Sequence, residues 1–343
     1  MWLSYIYTAL AIKICLFLFS LSFDNNEEDA KDLFDLYIKK FHKPYIPDTP
    51  EYSERLAIFK ESLRRIHSLN QNRSHPDDAW WGLNEYSDLT PEEFRQLMNK
   101  KEIERKNKNH KHVLRRSAEA INFKNITKLP KFVDWRKRGI VTPVKSQKEC
   151  GACWAFSTVE TLESMNALKM GELVELSVQQ VIDCATGTNR GCDGGDTCEA
   201  LDWMYENKVK ILTEKQYPLT DKEDNCKAIR PKEGVELKFN YTCEDLKGSE
   251  EEMLKLLAFH GPLVASVDST TWQDYLGGII QYHCEDNNNH AVQIVGYDLT
   301  GDIPYYIVRN SWGTEFGVNG YLKIAIGKNL CGIALEVSAL DVV

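Results

Sequence analysis

No glycine-rich phosphate-binding loop, internal repeat or low-complexity tract occurs in the 343-residue chain. Basic charge is also in short supply, since 42 Lys+Arg stand against 51 Asp+Glu for a net charge of -9. The deficit lies in residues 129 to 343, which hold 21 basic and 32 acidic side chains, whereas residues 1 to 128 hold 21 and 19. The first absence removes the usual cradle for a nucleotide. The second argues against nucleic acid or an anionic membrane as partner, because both are held by basic surfaces, and it favours a basic ligand, which includes the chain's own first segment. With 43% hydrophobic and 27% charged residues, the chain is an ordinary globular one of one large or two modest domains.

An apolar run of the roughly twenty residues needed to span a bilayer is missing too. Trp2 to Lys13 ends in a cation, Ile14 to Leu21 is apolar but for Ser20, and Ser20-Leu21-Ser22 has the small-x-small form of a cleavage site. Residues 1–22 therefore read as a signal peptide rather than an anchor. Cys15 leaves with it, and an odd number of cysteines remains. In an oxidising compartment that count predicts paired bridges plus one reactive thiol. Sequons at Asn72, Asn125 and Asn240 are candidate glycosylation sites that fit this compartment.

Residues 23–99 form the next unit. Leu33, Leu36, Tyr37 and Phe41, then Leu56, Phe59, Leu63 and Ile66, predict two amphipathic helices. Residues 100–128 begin polar and basic, from Lys100-Lys101 to Arg115-Arg116, and read as an exposed linker of the kind proteases cut. From 129 to 343 the texture changes. Phe156, Val159, Leu162, Met165 and Leu168 predict a helix stopped by Gly171. Beyond Gly261-Pro262, β-prone runs follow at 263–267, 291–297, 305–309 and 321–326. The expected class is α+β, with the helical lobe first.

The chemistry centres on Gln147-Lys148-Glu149-Cys150-Gly151-Ala152-Cys153-Trp154. A Cys-x-x-Cys pair also suits half a zinc site or a redox couple, but no second pair of closely spaced ligands and no βαβ unit accompanies it. A cysteine opening a helix is favoured as thiolate by the helix dipole and by a neighbouring imidazolium. His290 precedes a strand-like apolar run that would hold its ring rigidly, and Asn310 opens Asn310-Ser311-Trp312-Gly313.

Together these segments resemble the papain-like cysteine endopeptidases of the cathepsin type. The resemblance implies a two-lobed fold, a helical left lobe and an antiparallel β-barrel-like right lobe, preceded by a helical inhibitory propeptide. It gives Cys153 the role of nucleophile, His290 that of proton partner, and Asn310 that of orienting the histidine under the shield of Trp312. Gln147 is implied as oxyanion donor. Glu51, Arg55, Phe59, Ile66 and Asn70 match a helical motif of cathepsin-L-like propeptides, with Ser62 departing from it. Gly82-x-Asn84-x-Tyr86-x-Asp88 matches a second propeptide motif, which implies a precursor that stays latent until its linker is cut.

By the same correspondence Cys150 bridges to Cys192, Cys184 to Cys226 and Cys284 to Cys331, leaving Cys198 and Cys243 either as a fourth bridge or as two thiols. Gly195 is implied as a substrate-backbone contact. Asp196, Leu263, Ala291 and Glu336 are implied to line the pocket for the second residue before the cut, where the two acids would accept Arg or Lys. No long insertion between Cys192 and Tyr217 forms an occluding loop, which favours endopeptidase action. The implied partners are protein and peptide substrates, the chain's own propeptide and cystatin-like inhibitors. The mature enzyme is expected to be a monomer in the lysosome or endosome, or outside the cell, and no metal or organic cofactor is called for. Alternatives still open are a catalytically silent binding homologue, a propeptide-type protease inhibitor, and a transferase or ligase of the same fold.

Overall fold

The computed structural model describes residues 27–96, 128–227, 231–238 and 241–343. The signal peptide, nearly all of the 100–128 linker and the sequons at Asn125 and Asn240 lie outside the described residues, while Asn72 is exposed.

Among the described residues two helices come first, α1 (Glu27–Phe41) and α2 (Pro50–Asn70). Thr49 starts the second by accepting from the Tyr52 N–H, with Pro50 where a missing N–H costs nothing. Leu36, expected on the buried face of α1, is instead 50% exposed, and the buried stripe is Ala30, Leu33, Phe34 and Tyr37. At about 100° per residue those four fall within an arc of about 100°, and Leu36 lies about 110° from its centre, toward solvent. Phe34 takes that place, packing on Tyr52 and Phe59 at 5.2 and 5.1 Å between ring centroids. Next come β1 (Trp80–Trp81) and α3 (Pro91–Arg95), the latter opened by a reciprocal Thr90–Glu93 capping box.

The remainder carries β2 (Phe132–Asp134), α4 (Cys153–Met170), α5 (Val178–Cys184), α6 (Thr197–Glu206), β3 (Lys210–Ile211), β4 (Val235–Glu236), β5 (Thr242–Glu244) and α7 (Glu250–Phe259). Then follow β6 (Leu263–Val267), β7 (Tyr275–Gly277), β8 (Ile279–Ile280), β9 (His290–Asp298), β10 (Tyr305–Arg309), β11 (Tyr321–Ala325) and β12 (Val337–Ala339). α4 is buried on every side from Cys153 to Ala167, including Glu160 and Glu163, and ends where Gly171 adopts φ +79°. The main sheet runs β5-β12-β6-β9-β10-β11-β8 with β2 beside β9, and every pairing is antiparallel except β11 with β8.

Two large apolar cores and a small third cluster of Trp135, Ile140 and Ala167 result. Of the large cores, one gathers Trp154, Phe156, Val181 and Leu201 from the helices, the other Trp272, Tyr297, Trp312 and Phe316 from the sheet. α4 packs on β9 between them. The N-terminal helices bury Phe59 and Leu63 in the sheet core, and β1 pairs with β7. Disulfides join Cys150–Cys192, Cys184–Cys226, Cys284–Cys331 and Cys198–Cys243, the last closing the choice the sequence left open. Among the described residues, Cys153 remains a thiol.

Candidate active site

Cys153 is the first residue of α4, and Ala152 before it offers no side-chain oxygen to cap the helix. The positive end of the helix dipole is therefore left to act on the thiol. The approach to it is fixed by the Cys150–Cys192 bridge and by the Gly151 N–H, which donates to the Cys192 carbonyl at 2.8 Å.

His290 opens β9, and its Nε2 lies 2.7 Å from Asn310 Oδ1. That atom also accepts from the Ser311 N–H at 2.9 Å, which identifies it as the amide oxygen. Nε2 must then be the donor, so the lone pair of the neutral ring sits on Nδ1, a buried atom with no hydrogen-bond partner among the described residues. The Trp312 indole covers the ring at 4.7 Å and 34°, and Trp272 meets it edge-on at 6.0 Å. Burial pushes the imidazole down to about 4, with the Asn310 bond pulling the other way.

Gln147 is buried in the segment that faces Asn310. Its backbone N–H donates to Ser311 O at 2.8 Å, its Oε1 accepts from Ser311 Oγ at 2.5 Å, and its Nε2 donates to Cys150 O at 2.9 Å. The structure thus brings Gln147, Cys153, His290, Asn310 and Trp312 onto mutually packed segments.

At the expected substrate pocket the picture changes in one place. Leu263 is a correction: it is fully buried and paired with Ile294, on the core side of β6 with Ala265 and Val267. Side chains alternate along a strand, so the opposite face of β6 is carried by Ser266, which pairs with Ala291 and donates its N–H to Glu336 O at 3.0 Å. Gly195 is required from the inside, because a Cβ there would lie 2.5 Å from the Trp154 ring and 2.6 Å from Asn189 Oδ1. Asp196 caps α6 through the N–H groups of Cys198 and Glu199. Its carboxylate, that of Glu336 and the Cys198 sulfur lie within 4.8 Å of one another. The sulfur belongs to the Cys198–Cys243 bridge and has no thiolate to offer a metal.

Residues 129–340 match the family model of papain family cysteine proteases, and residues 34–94 match the cathepsin propeptide inhibitor domain. The chain belongs to the papain family of cysteine proteases. It is 44% identical to cathepsin O of Homo sapiens over 304 residues, covering 87% of this chain and 92% of that one. The proform of the ragweed pollen cysteine protease Amb a 11 superposes with a TM-score of 0.76 at 33% identity, over 92% of this chain and 95% of that one. Digestive procathepsin L 3 of Tenebrio molitor gives 0.74 at 28%, over 91% and 99%. The fold is the two-lobed papain one, and the protein is a cysteine endopeptidase made as a proenzyme, with proteins as substrates and its propeptide as intramolecular inhibitor.

How the inhibitor holds the peptidase was only partly visible in the sequence. Asn84 Nδ2 donates to Gln273 O at 2.7 Å, and Gln273 Nε2 returns bonds to the carbonyls of Tyr86 and Leu89, each at 2.9 Å. Tyr86 and Phe94 pack on Trp312 at 6.2 and 5.2 Å, so the propeptide leans on the ring that shields the histidine. Asp88 accepts from Tyr37 at 2.8 Å and Tyr45 at 2.6 Å and ion-pairs with Lys43 at 3.0 Å. Ser62 is buried and accepts from Arg65 NH2 at 2.9 Å, while Arg65 Nε donates to Asp274 at 2.7 Å. Arg65 and Asp274 carried no motif of their own.

Proposed function

We propose that Cys153, His290, Asn310 and Gln147 are the catalytic groups of this endopeptidase. The observation that supports it most is the fixed tautomer of His290, with Nε2 on Asn310 and Nδ1 left as the base on a strand packed against the helix that Cys153 opens. The Cys153 sulfur, its proton passed to Nδ1, attacks the peptide carbonyl carbon. The C=O electron pair moves to oxygen, which the Gln147 amide and the Cys153 N–H stabilise. Nδ1–H then protonates the departing amine and a thioester remains. Water, giving its proton to Nδ1, hydrolyses the thioester and restores the thiol. In the latent form burial disfavours the imidazolium; once the propeptide leaves, water and the thiolate favour it.

The boundaries we assign are a signal peptide at 1–22, propeptide at 23–99, processing linker at 100–128 and mature peptidase at 129–343. The destination is the lysosome or endosome, with release outside the cell as the other outcome, the mature enzyme is a monomer, and cystatin-like proteins inhibit it. Gly195 holds the substrate backbone. Two carboxylates as close as those of Asp196 and Glu336 repel each other, and a cationic side chain between them relieves that cost, so the second-position pocket takes Arg or Lys besides apolar residues. A dipeptide substrate library run on processed wild type and Cys153→Ala tests both points. Hydrolysis confined to wild type with basic second residues cleaved better than leucine is expected; hydrolysis by Cys153→Ala overturns the nucleophile, and no gain for basic residues over leucine overturns the pocket.

A further inference from the structure

Directly beneath the proposed catalytic groups lies a buried cation that their chemistry does not use. Arg309 is 0% exposed and immediately precedes Asn310 at the end of β10. Its guanidinium reaches three other segments. NH1 donates to Gln293 Oε1 at 3.2 Å, on the strand that His290 opens. NH2 donates to Thr142 Oγ1 at 3.2 Å and to Pro143 O at 2.6 Å, on the segment leading to Gln147. The same nitrogen is in ionic contact with Glu160 Oε1 at 3.2 Å, on α4 about two turns beyond Cys153.

We propose that Arg309 is a positioning residue for peptide hydrolysis, tying together the four segments that carry Cys153, His290, Asn310 and Gln147, with Glu160 beside it on α4. The proposal rests on the assignment of those four groups. Arginine suits the task because its planar fork points donors in several fixed directions at once, which an ammonium on a flexible stem does not. Gln293 extends the tie: while its oxygen accepts from Arg309, its amide donates to Glu160 O at 3.0 Å and Ser164 Oγ at 2.9 Å. One side chain therefore locks β9 to both α4 and β10. The network closes at the edge of the core, where Thr142 donates to Glu163 and Lys145 meets Glu163 at 2.5 Å. A bare surface ion pair would contribute little, but in a buried network a lost partner leaves charge and donors stranded and the segments free to shift.

The test uses processed enzyme from full-length precursors of Arg309→Lys, Gln293→Met and Arg309→Met, with active sites titrated by an epoxide inhibitor so that only folded enzyme is counted. Arg309→Lys keeps the charge but loses the fork, and its kcat should fall about 10-fold, with Gln293→Met similar and Arg309→Met nearer 10²-fold, the loss expected of about 1 Å of misplacement. KM should stay within about 2-fold, and the pH profile of iodoacetamide alkylation of Cys153 should shift, because the thiol–imidazole geometry has changed. A purely structural role would lower the melting temperature and the titratable fraction while leaving kcat per site and the alkylation profile as in wild type. Wild-type kcat and profile in Arg309→Lys and Gln293→Met overturn the proposal, whether or not Arg309→Met folds. Cys153→Ala run alongside separates the two readings, since residual hydrolysis there defeats the assignment of the nucleophile instead.

Discussion

Arg65→Ala should release the latch between propeptide and peptidase. Arg65 Nε is 2.7 Å from Asp274 Oδ2, and the other oxygen of Asp274 accepts from Ser87 Oγ at 3.1 Å. The Asp274 side chain is 1% exposed and that of Arg65 25%. Removing one partner of a buried pair costs about 3–5 kcal/mol because the other charge is stranded. Arg65 is a quarter exposed, so solvent screening places the cost at the lower end, about 3 kcal/mol. At about 1.4 kcal/mol per decade, that is on the order of 10²-fold more of the open form. The rate at which an epoxide inhibitor labels Cys153 in unprocessed proenzyme reads the open fraction, and at pH 7 it should rise by that factor. The pH dependence has a definite sign. Burial raises the Asp274 carboxyl above its usual range, with Arg65 and then Ser87 pulling it down. Without Arg65 the ionised form is the costly one, so the excess labelling should shrink as pH falls and Asp274 takes up a proton. Labelling within about 2-fold of wild type at pH 7, or an excess that grows with acid, would refute the reasoning.

Two further perturbations follow from the buried interior. Burial pushes Glu160 up from 4.5 to about 7, against the pull of Arg309 and Lys145. The stability it contributes is complete below its unfolded pKa and is lost as pH rises through the folded one. In a Cys153→Ala background, Glu160→Gln should therefore flatten the fall in melting temperature between pH 5 and 7; an unchanged slope contradicts this. Gly195→Ala places a methyl 2.5 Å from the Trp154 ring, and the overpacking should cost about 1–3 kcal/mol, read as a lower melting temperature.

What the sequence disclosed and what it hid divide along physical lines. The stop of α4 at Gly171 and the limits of β6 and β10 were readable because glycine and alternating apolar runs act locally. The candidate constellation of Gln147, Cys153, His290 and Asn310 could be picked out because thiolate chemistry needs few residue types in fixed contexts. Leu36 and Leu263 were misplaced because facing depends on a register of one residue, which composition does not reveal. Arg65 with Asp274, and Arg309 with Glu160, were hidden for another reason. A charged residue in a sequence reads as surface until its partner, more than a hundred positions away, is brought beside it.

Labelling by an epoxide-type cysteine-protease inhibitor, followed by mass spectrometry of the modified peptide, tests the central claim most directly. Wild-type proenzyme, acid-processed wild type and Cys153→Ala are compared under mild reduction. The account predicts one adduct, on Cys153, abundant after processing, scarce before it and absent from the variant, with hydrolysis of a fluorogenic dipeptide following the same order. Processed wild type that neither labels nor cleaves, or labelling that persists in Cys153→Ala, would contradict it.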